Sequence, residues 1–132
     1  YEHPHNKRTP TDDRYLKINM NSESCIDNID VFLLVENGIV KDCCFDGIGC
    51  TISTASTSIM TDLVKGKTIE EAEKIIDNYK KMISEDKFDE ELLDEAIVFM
   101  NTSKQASRIK CATIGWNGLN ELLEESKGEK HE

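Results

Sequence analysis

The sequence predicts an α+β domain, and three observations carry that prediction. A short alternating run is followed by two β-prone runs joined through Asn37-Gly38. Beyond Cys50 the apolar period changes from that of strands to that of helices. The order is therefore strands first and helices after, the pattern of helices packed on one face of an antiparallel sheet.

The elements follow in chain order. Tyr1–Arg14 is polar and holds both prolines, Pro4 and Pro10, with no apolar period, so it reads as an N-terminal arm. Tyr15–Met20 alternates as a short strand does. Ile29–Asp46 reads as a hairpin, because Asn-Gly supplies the two positive-φ residues of a tight turn. Thr51–Lys65 is a Ser/Thr-rich helix whose apolar members are Ile52, Ala55, Ile59, Leu63 and Val64, and Gly66 stops it. Thr68 and Glu71 form a capping box. The helix they open carries Ile69, Ala72, Ile75, Ile76, Tyr79, Met82 and Ile83 on one stripe. A third helix is expected from Asp89 through Met100. A last one, capped by Ser103, carries Ile109, Ala112, Trp116, Leu119 and Leu122–Leu123. The expected organisation is a flexible arm over residues 1–14, one domain over 15–126 and a flexible tail over 127–132.

Composition narrows the function. The 132 residues suit one domain, and 16 Lys+Arg against 26 Asp+Glu leave a formal charge of −10. Such a balance argues against binding a nucleic-acid backbone, which needs clustered cations. No apolar run is long enough for a membrane span, and Tyr1–Pro10 lacks the apolar middle of a secretory signal. Five cysteines, an odd and sparse set, read as thiols or metal ligands in a reducing compartment, so a cytoplasmic protein is expected.

Three places can carry chemistry. Gly47-Ile48-Gly49-Cys50 stands at the strand-to-helix junction, where two glycines allow a sharp turn. A cysteine at a helix N-terminus should be more acidic than usual, which suits metal binding or attack on sulfur; the bland alternative is a small buried plug. Cys25-Ile26-Asp27 lies in a loop and can project a thiolate and a carboxylate to one side; the alternative is a turn in which Asp27 bonds its own backbone. Cys111 lies off the apolar stripe of the last helix, one turn after Arg108, whose charge would favour a thiolate; the alternative is a cysteine at a helix edge. No pair has zinc-finger spacing, so one site would require tertiary convergence. Three thiolates and a carboxylate would complete a tetrahedral zinc site, with Asp27, the hard ligand, the natural one to exchange. Cys43 shares parity with Ile39 and Phe45 and is expected in the core. Cys44 shares parity with Asp42 and Asp46 and is expected exposed. His3, His5 and His131 are terminal and read as polar tail residues.

Taken together, Cys25-Ile26-Asp27, Phe45 through Ser53 (FDGIGCTIS) and Arg108 through Thr113 (RIKCAT) resemble the three cysteine regions of the IscU/NifU N-terminal family. The resemblance runs from about Asn6 to Leu123. Within it the chain is most similar to the SufU type, because Lys110 stands where IscU scaffolds carry histidine and the Cys50–Cys111 interval is longer. The resemblance implies an IscU-like sandwich with a three-stranded antiparallel sheet. It implies Zn2+ on Cys25, Asp27, Cys50 and Cys111, a SufS-type PLP-dependent cysteine desulfurase as partner, and Cys25 as sulfur acceptor, with Arg108 stabilising thiolates. Such a protein is a sulfur-acceptor partner rather than a stand-alone enzyme, and downstream iron–sulfur assembly proteins would take its sulfur. The alternatives are a scaffold that builds an Fe–S cluster on the same ligands and a zinc-stabilised interaction domain without sulfur chemistry.

Overall fold

The computed structural model describes residues 6–11, 13–21, 27–84, 86–87, 93 and 106–130, with the backbone alone at 106–108, 110 and 127–130. Strands β1 (Leu16–Asn21), β2 (Asn28–Glu36) and β3 (Ile39–Ile48) form one antiparallel sheet in the order β1-β2-β3. The β2–β3 turn takes positive φ at Asn37 (55°) and Gly38 (75°), as an Asn-Gly hairpin requires. Helices α1 (Thr51–Val64), α2 (Ile69–Ile83) and α3 (Ala106–Lys130) follow. The expected α+β architecture is present.

The helices stack on one face of the sheet. α1 lies against β3, α3 lies on β1 and β2 and along α1, and α2 packs on both helices. Ile29, Val31 and Leu33 of β2 and Cys43 and Phe45 of β3 point into the core, two residues apart as a strand dictates, and Val40 joins them across a register shift in the hairpin. They meet Tyr79, Trp116, Leu119, Leu122 and Leu123. Every residue of the α2 stripe is buried, and the capping box is closed: Thr68 Oγ1 accepts from Glu71 N–H (3.1 Å) and Glu71 Oε1 from Thr68 N–H (3.3 Å).

Three features depart from expectation. The buried face of α1 is largely Ser53, Ser56, Thr57, Ser58 and Thr61, while Ile52, Ala55 and Leu63 are only partly buried. Small side chains let α1 approach β3 and α3 closely, and nearby acceptors satisfy several of the hydroxyls. Ser56 Oγ, for example, donates to Ala112 O (2.6 Å) and Thr61 Oγ1 to Ser58 O (2.6 Å). Cys44, expected exposed, is buried. The reason lies in the arm: residues 6–9 run along β3, with Arg8 N–H donating to Phe45 O (2.8 Å) and Phe45 N–H to Asn6 O (3.1 Å). Arg8 then covers Cys44, its guanidinium 3.6 Å from the sulfur, and ties to Asp42 (2.5 Å), which Tyr15 and Lys65 also engage. Finally, helical backbone continues to Lys130, past the expected start of the tail. The helix expected over Asp89–Met100 and its successor's cap at Ser103 fall outside the described residues, save Leu93, which is helical and buried. Among the described residues no helix is long and apolar enough to cross a membrane.

Candidate metal centre

The site forms where the sheet hands over to α1. Gly47 has φ +121°, and a Cβ there would stand 2.3 Å from Asn28 O, so only glycine lets β3 close against the start of β2. That closure brings Asp27, just before β2, beside Cys50. Cys50 is the N-cap of α1, as expected, and its sulfur accepts from Ser53 N–H (3.4 Å). Asp27 is 1% exposed, yet its carboxylate is fully engaged: Oδ1 accepts from Cys50 N–H (2.9 Å) and Oδ2 from Ser53 Oγ (2.6 Å). A buried carboxylate is costly unless its oxygens are bonded, and here the first turn of α1 bonds both.

Cys111 comes from α3, the third distant segment. It is buried but stands apart from the apolar core, facing the site. One oxygen of Asp27, Cys50 Sγ and Cys111 Sγ all lie within 4.8 Å of one another. Donors around a tetrahedral zinc ion sit roughly 3.5–3.8 Å apart, so small side-chain rotations suffice to gather them. Burial opposes ionisation of Cys50. The Ser53 hydroxyl, the Ser53 N–H and Cys111 outweigh it through hydrogen bonds, against the charge of Asp27, and hold the thiol below its ordinary value. The expected acidity is there, with Ser53 as its main agent.

A polar brace stands behind Cys111. The carbonyl of Ala112, the next residue, accepts from both Ser56 Oγ (2.6 Å) and Tyr79 OH (2.7 Å). Trp116 Nε1–H donates to Ser56 Oγ (2.9 Å), and its ring stacks on Tyr79 with centroids 3.8 Å apart. These contacts fix the turn of α3 that carries the thiol.

Of the four expected ligands, the structure brings Asp27, Cys50 and Cys111 together. Cys25 lies outside the described residues, two positions before Asp27, and so does the side chain of Arg108. Ser53, Ser56 and Tyr79 were not anticipated as site residues. Ser53 was within reach of sequence reasoning, since it is the third residue after a helix-capping cysteine, where caps make their bonds.

The family described as NifU-like N terminal domain matches residues 1–119. The chain belongs to this family. A relative from Thermotoga maritima named iron–sulfur cluster assembly scaffold protein IscU is 38% identical over 100 residues, covering 76% of this chain and 70% of its own. The Bacillus subtilis zinc-dependent sulfurtransferase SufU is 34% identical over 129 residues, covering 97% and 86%. Among solved structures, the SufU of Fervidobacterium islandicum AW-1, assigned as a scaffold for the SUF system, superposes with a TM-score of 0.77 at 31% identity, over 88% of this chain and 83% of that one. The NifU-like fold is thus shared, and the converging Asp27, Cys50 and Cys111, the first and last buried and Cys50 partly exposed, form a donor set of two sulfurs and one oxygen that suits a borderline-soft ion.

Proposed function

We infer that this chain is an iron–sulfur cluster assembly protein that holds zinc through Cys25, Asp27, Cys50 and Cys111 and accepts persulfide sulfur at Cys25 from a SufS-type cysteine desulfurase. The observation that carries this reading is the meeting of Asp27, Cys50 and Cys111, drawn from three distant segments into one cluster that Cys50 leaves partly open to solvent. The SufU relative, aligned over 97% of the chain, supports zinc and sulfur transfer in its name.

Zinc, when bound, keeps its cysteine ligands ionised at neutral pH and adds its binding free energy to the fold. The remaining chemistry belongs to the chain. Asp27 and Cys50 are anchored to the first turn of α1 and Cys111 is held by the brace behind it, and in this reading Cys25, the acceptor, is the ligand released when the desulfurase docks. Its thiolate attacks the outer sulfur of the desulfurase persulfide. A new S–S bond forms on Cys25 as the persulfide S–S bond breaks, and the desulfurase cysteine departs as a thiolate. Arg108 favours the charged thiol.

A second reading has support of its own, since the Thermotoga relative is named a scaffold. There the same ligands hold a nascent Fe–S cluster. The deciding experiment measures bound metal and desulfurase turnover with wild type, Cys25→Ser and Asp27→Ala, alongside anaerobic cluster reconstitution. The sulfur-acceptor reading expects one zinc per chain and stimulated turnover that Cys25→Ser abolishes. A stable, transferable cluster without stimulation would establish the scaffold instead.

A further inference from the structure

Residues 6–9 carry no apolar side chain, and Lys7, Arg8 and Thr9 are exposed. Hydrogen bonds and charge therefore dock this part of the arm, and a segment held without apolar burial opens locally at low cost. Its contacts fall on two elements. On β3, Lys7 pairs in parallel with Phe45, Arg8 reaches Asp42, and Thr9 Oγ1 donates to Asp46 Oδ2 (2.6 Å). On α1, Asn6 Nδ2 donates to Thr61 Oγ1 (2.9 Å) and Asp62 Oδ1 (2.9 Å), and Asn6 Oδ1 accepts from Lys65 Nζ just beyond the helix. β3 and α1 are the two elements that Cys50 joins. Phe45 and Asp46 also run straight into Gly47, whose close approach to Asn28 brings Asp27 beside Cys50.

We propose that residues 6–9 are a strap across the β3–α1 corner, with Asn6 and Arg8 as positioning residues, so that docking of the arm and binding of metal at Asp27, Cys50 and Cys111 strengthen each other. Asn6 and Arg8 lie outside the donor set and act only through the elements they tie. With the arm docked, β3 and α1 are held from outside the corner at the spacing at which the donors meet. With the arm lifted, β3 loses its outer partner at Phe45 and α1 loses its ties at Thr61 and Asp62. Coupling between two binding events is reciprocal: the factor the arm adds to metal affinity is the factor metal adds to docking of the arm. The arm is then a control point for the centre that leaves the donors themselves untouched. The proposal rests on the metal reading above and deepens it.

Two neighbouring thiols make the test possible. Cys44 lies under Arg8, and Cys43 lies in the core on the opposite face. Alkylation of Cys44 alone therefore reports lifting of the arm, and alkylation of both reports unfolding. Co2+ serves as the probe, because its absorption reports binding, with affinity read by competition against a chelator. In wild type, Co2+ should slow labelling of Cys44 about fivefold, the low end of coupling between sites, while Cys43 stays unlabelled with or without the ion. The Asn6→Ala, Arg8→Ala double variant should bind Co2+ about fivefold more weakly. Thr68→Ala is the control, since it removes the cap of α2 at the hairpin end of β3, away from that corner, and costs stability there. It should bind Co2+ as wild type does. The wild-type labelling needs no substitution, so a double variant that fails to fold does not remove the test. Labelling of Cys44 that ignores Co2+, unchanged affinity in the double variant, or an equal loss of affinity in Thr68→Ala overturns the strap. A wild-type chain that binds no Co2+ overturns the metal reading itself, a different result from tight binding that ignores the arm.

Discussion

Replacing Gly115 with alanine tests whether the spacing of α1 and α3 is set by direct contact beside the site. A Cβ at Gly115 would meet Thr57 Oγ1 at 2.3 Å, Cγ2 at 2.8 Å and Cβ at 3.0 Å. Thr57 is fully buried and β-branched, so it has little room to turn away. Overpacking of this severity belongs at the top of the usual range, about 3 kcal/mol. Alanine is also about 1 kcal/mol better than glycine inside a helix, which leaves a net loss of about 2 kcal/mol. With an unfolding entropy of about 2.1 cal/mol/K per residue and 132 residues, 1 kcal/mol corresponds to about 3.6 °C, so Tm should fall by about 7 °C. Gly115 is one turn after Cys111, and Thr57 two turns after Cys50, so forcing the helices apart should also weaken Co2+ binding. The rescue is specific. Thr57→Ala removes the two nearest atoms, and it removes a buried hydroxyl that finds no hydrogen-bond partner among the described residues. The double variant should therefore recover most of the lost Tm in calorimetry and most of the metal affinity. A Gly115→Ala protein as stable as wild type, showing only its gain in helix propensity, would refute the close-contact argument.

Two further outcomes follow from the cluster on β3. Burial raises the pKa of Asp42, but hydrogen bonds from Tyr15, Arg8 and Lys65 and the Lys65 charge prevail and hold it well below the usual carboxylate range. A carboxylate lowered in the fold stabilises above its unfolded value of about 3.9, and that stability is lost as pH falls toward the folded value. Urea unfolding should show stability dropping below about pH 4, and Asp42→Asn should be weaker at neutral pH and flatter on the acid side; equal slopes for the two proteins would refute it. Cys44 is pushed up to about 11, chiefly by burial, with Arg8 opposing. At pH 8 an alkylating reagent should therefore modify Cys44 slowly in wild type and faster in Arg8→Ala, where its cover is gone; mass-spectrometric mapping reads both, and rapid labelling of Cys44 in wild type would count against the arm as cover.

What the sequence reveals depends on whether a signal is local. α2 is legible in full, because its stripe and its capping box are both written within one helix. The hairpin is legible through Asn37 and Gly38, whose positive φ values are the ones the dipeptide favours. The buried face of α1 is not legible, because Ser53, Ser56 and Thr57 look polar until their partners on the β1–β2 side and α3 are known. Cys44 misleads for a related reason: parity tells which face of a strand a residue takes, but not that residues 6–9 return to cover that face. The candidate site divides the same way. Cys50 at a helix start is a local reading, and the structure confirms it as a cap. The approach of Asp27 and Cys111 depends on chain segments far apart, which no spacing reports, and only resemblance to a family anticipated it. The Ser56–Tyr79–Trp116 brace combines both difficulties, since each member reads as helix filler alone.

The hydrogen bonds within the site bear on how such a centre is built. Asp27 accepts two bonds, Cys50 accepts one from the helix and Ala112 O accepts two from side chains, so the polar groups around the cluster satisfy one another without an ion. That differs from a site whose carboxylate and thiols point into an unpaired void, where the fold itself would wait on the metal. Here the hydrogen bonds to Asp27 and Cys50 are of the kind that support and orient metal ligands, so the shell is organised by the fold itself. The consequence is a centre that can open one position without losing the fold around it, with Ser56, Tyr79 and Trp116 holding one wall and the first turn of α1 the other. The proposed sulfur-acceptor role, in which a thiolate leaves for a partner and returns, needs that property. The measurement that bears on it is the thermal unfolding of metal-free protein: a cooperative transition with the Trp116 environment intact fits this construction, and a metal-free chain already unfolded at 25 °C would contradict it.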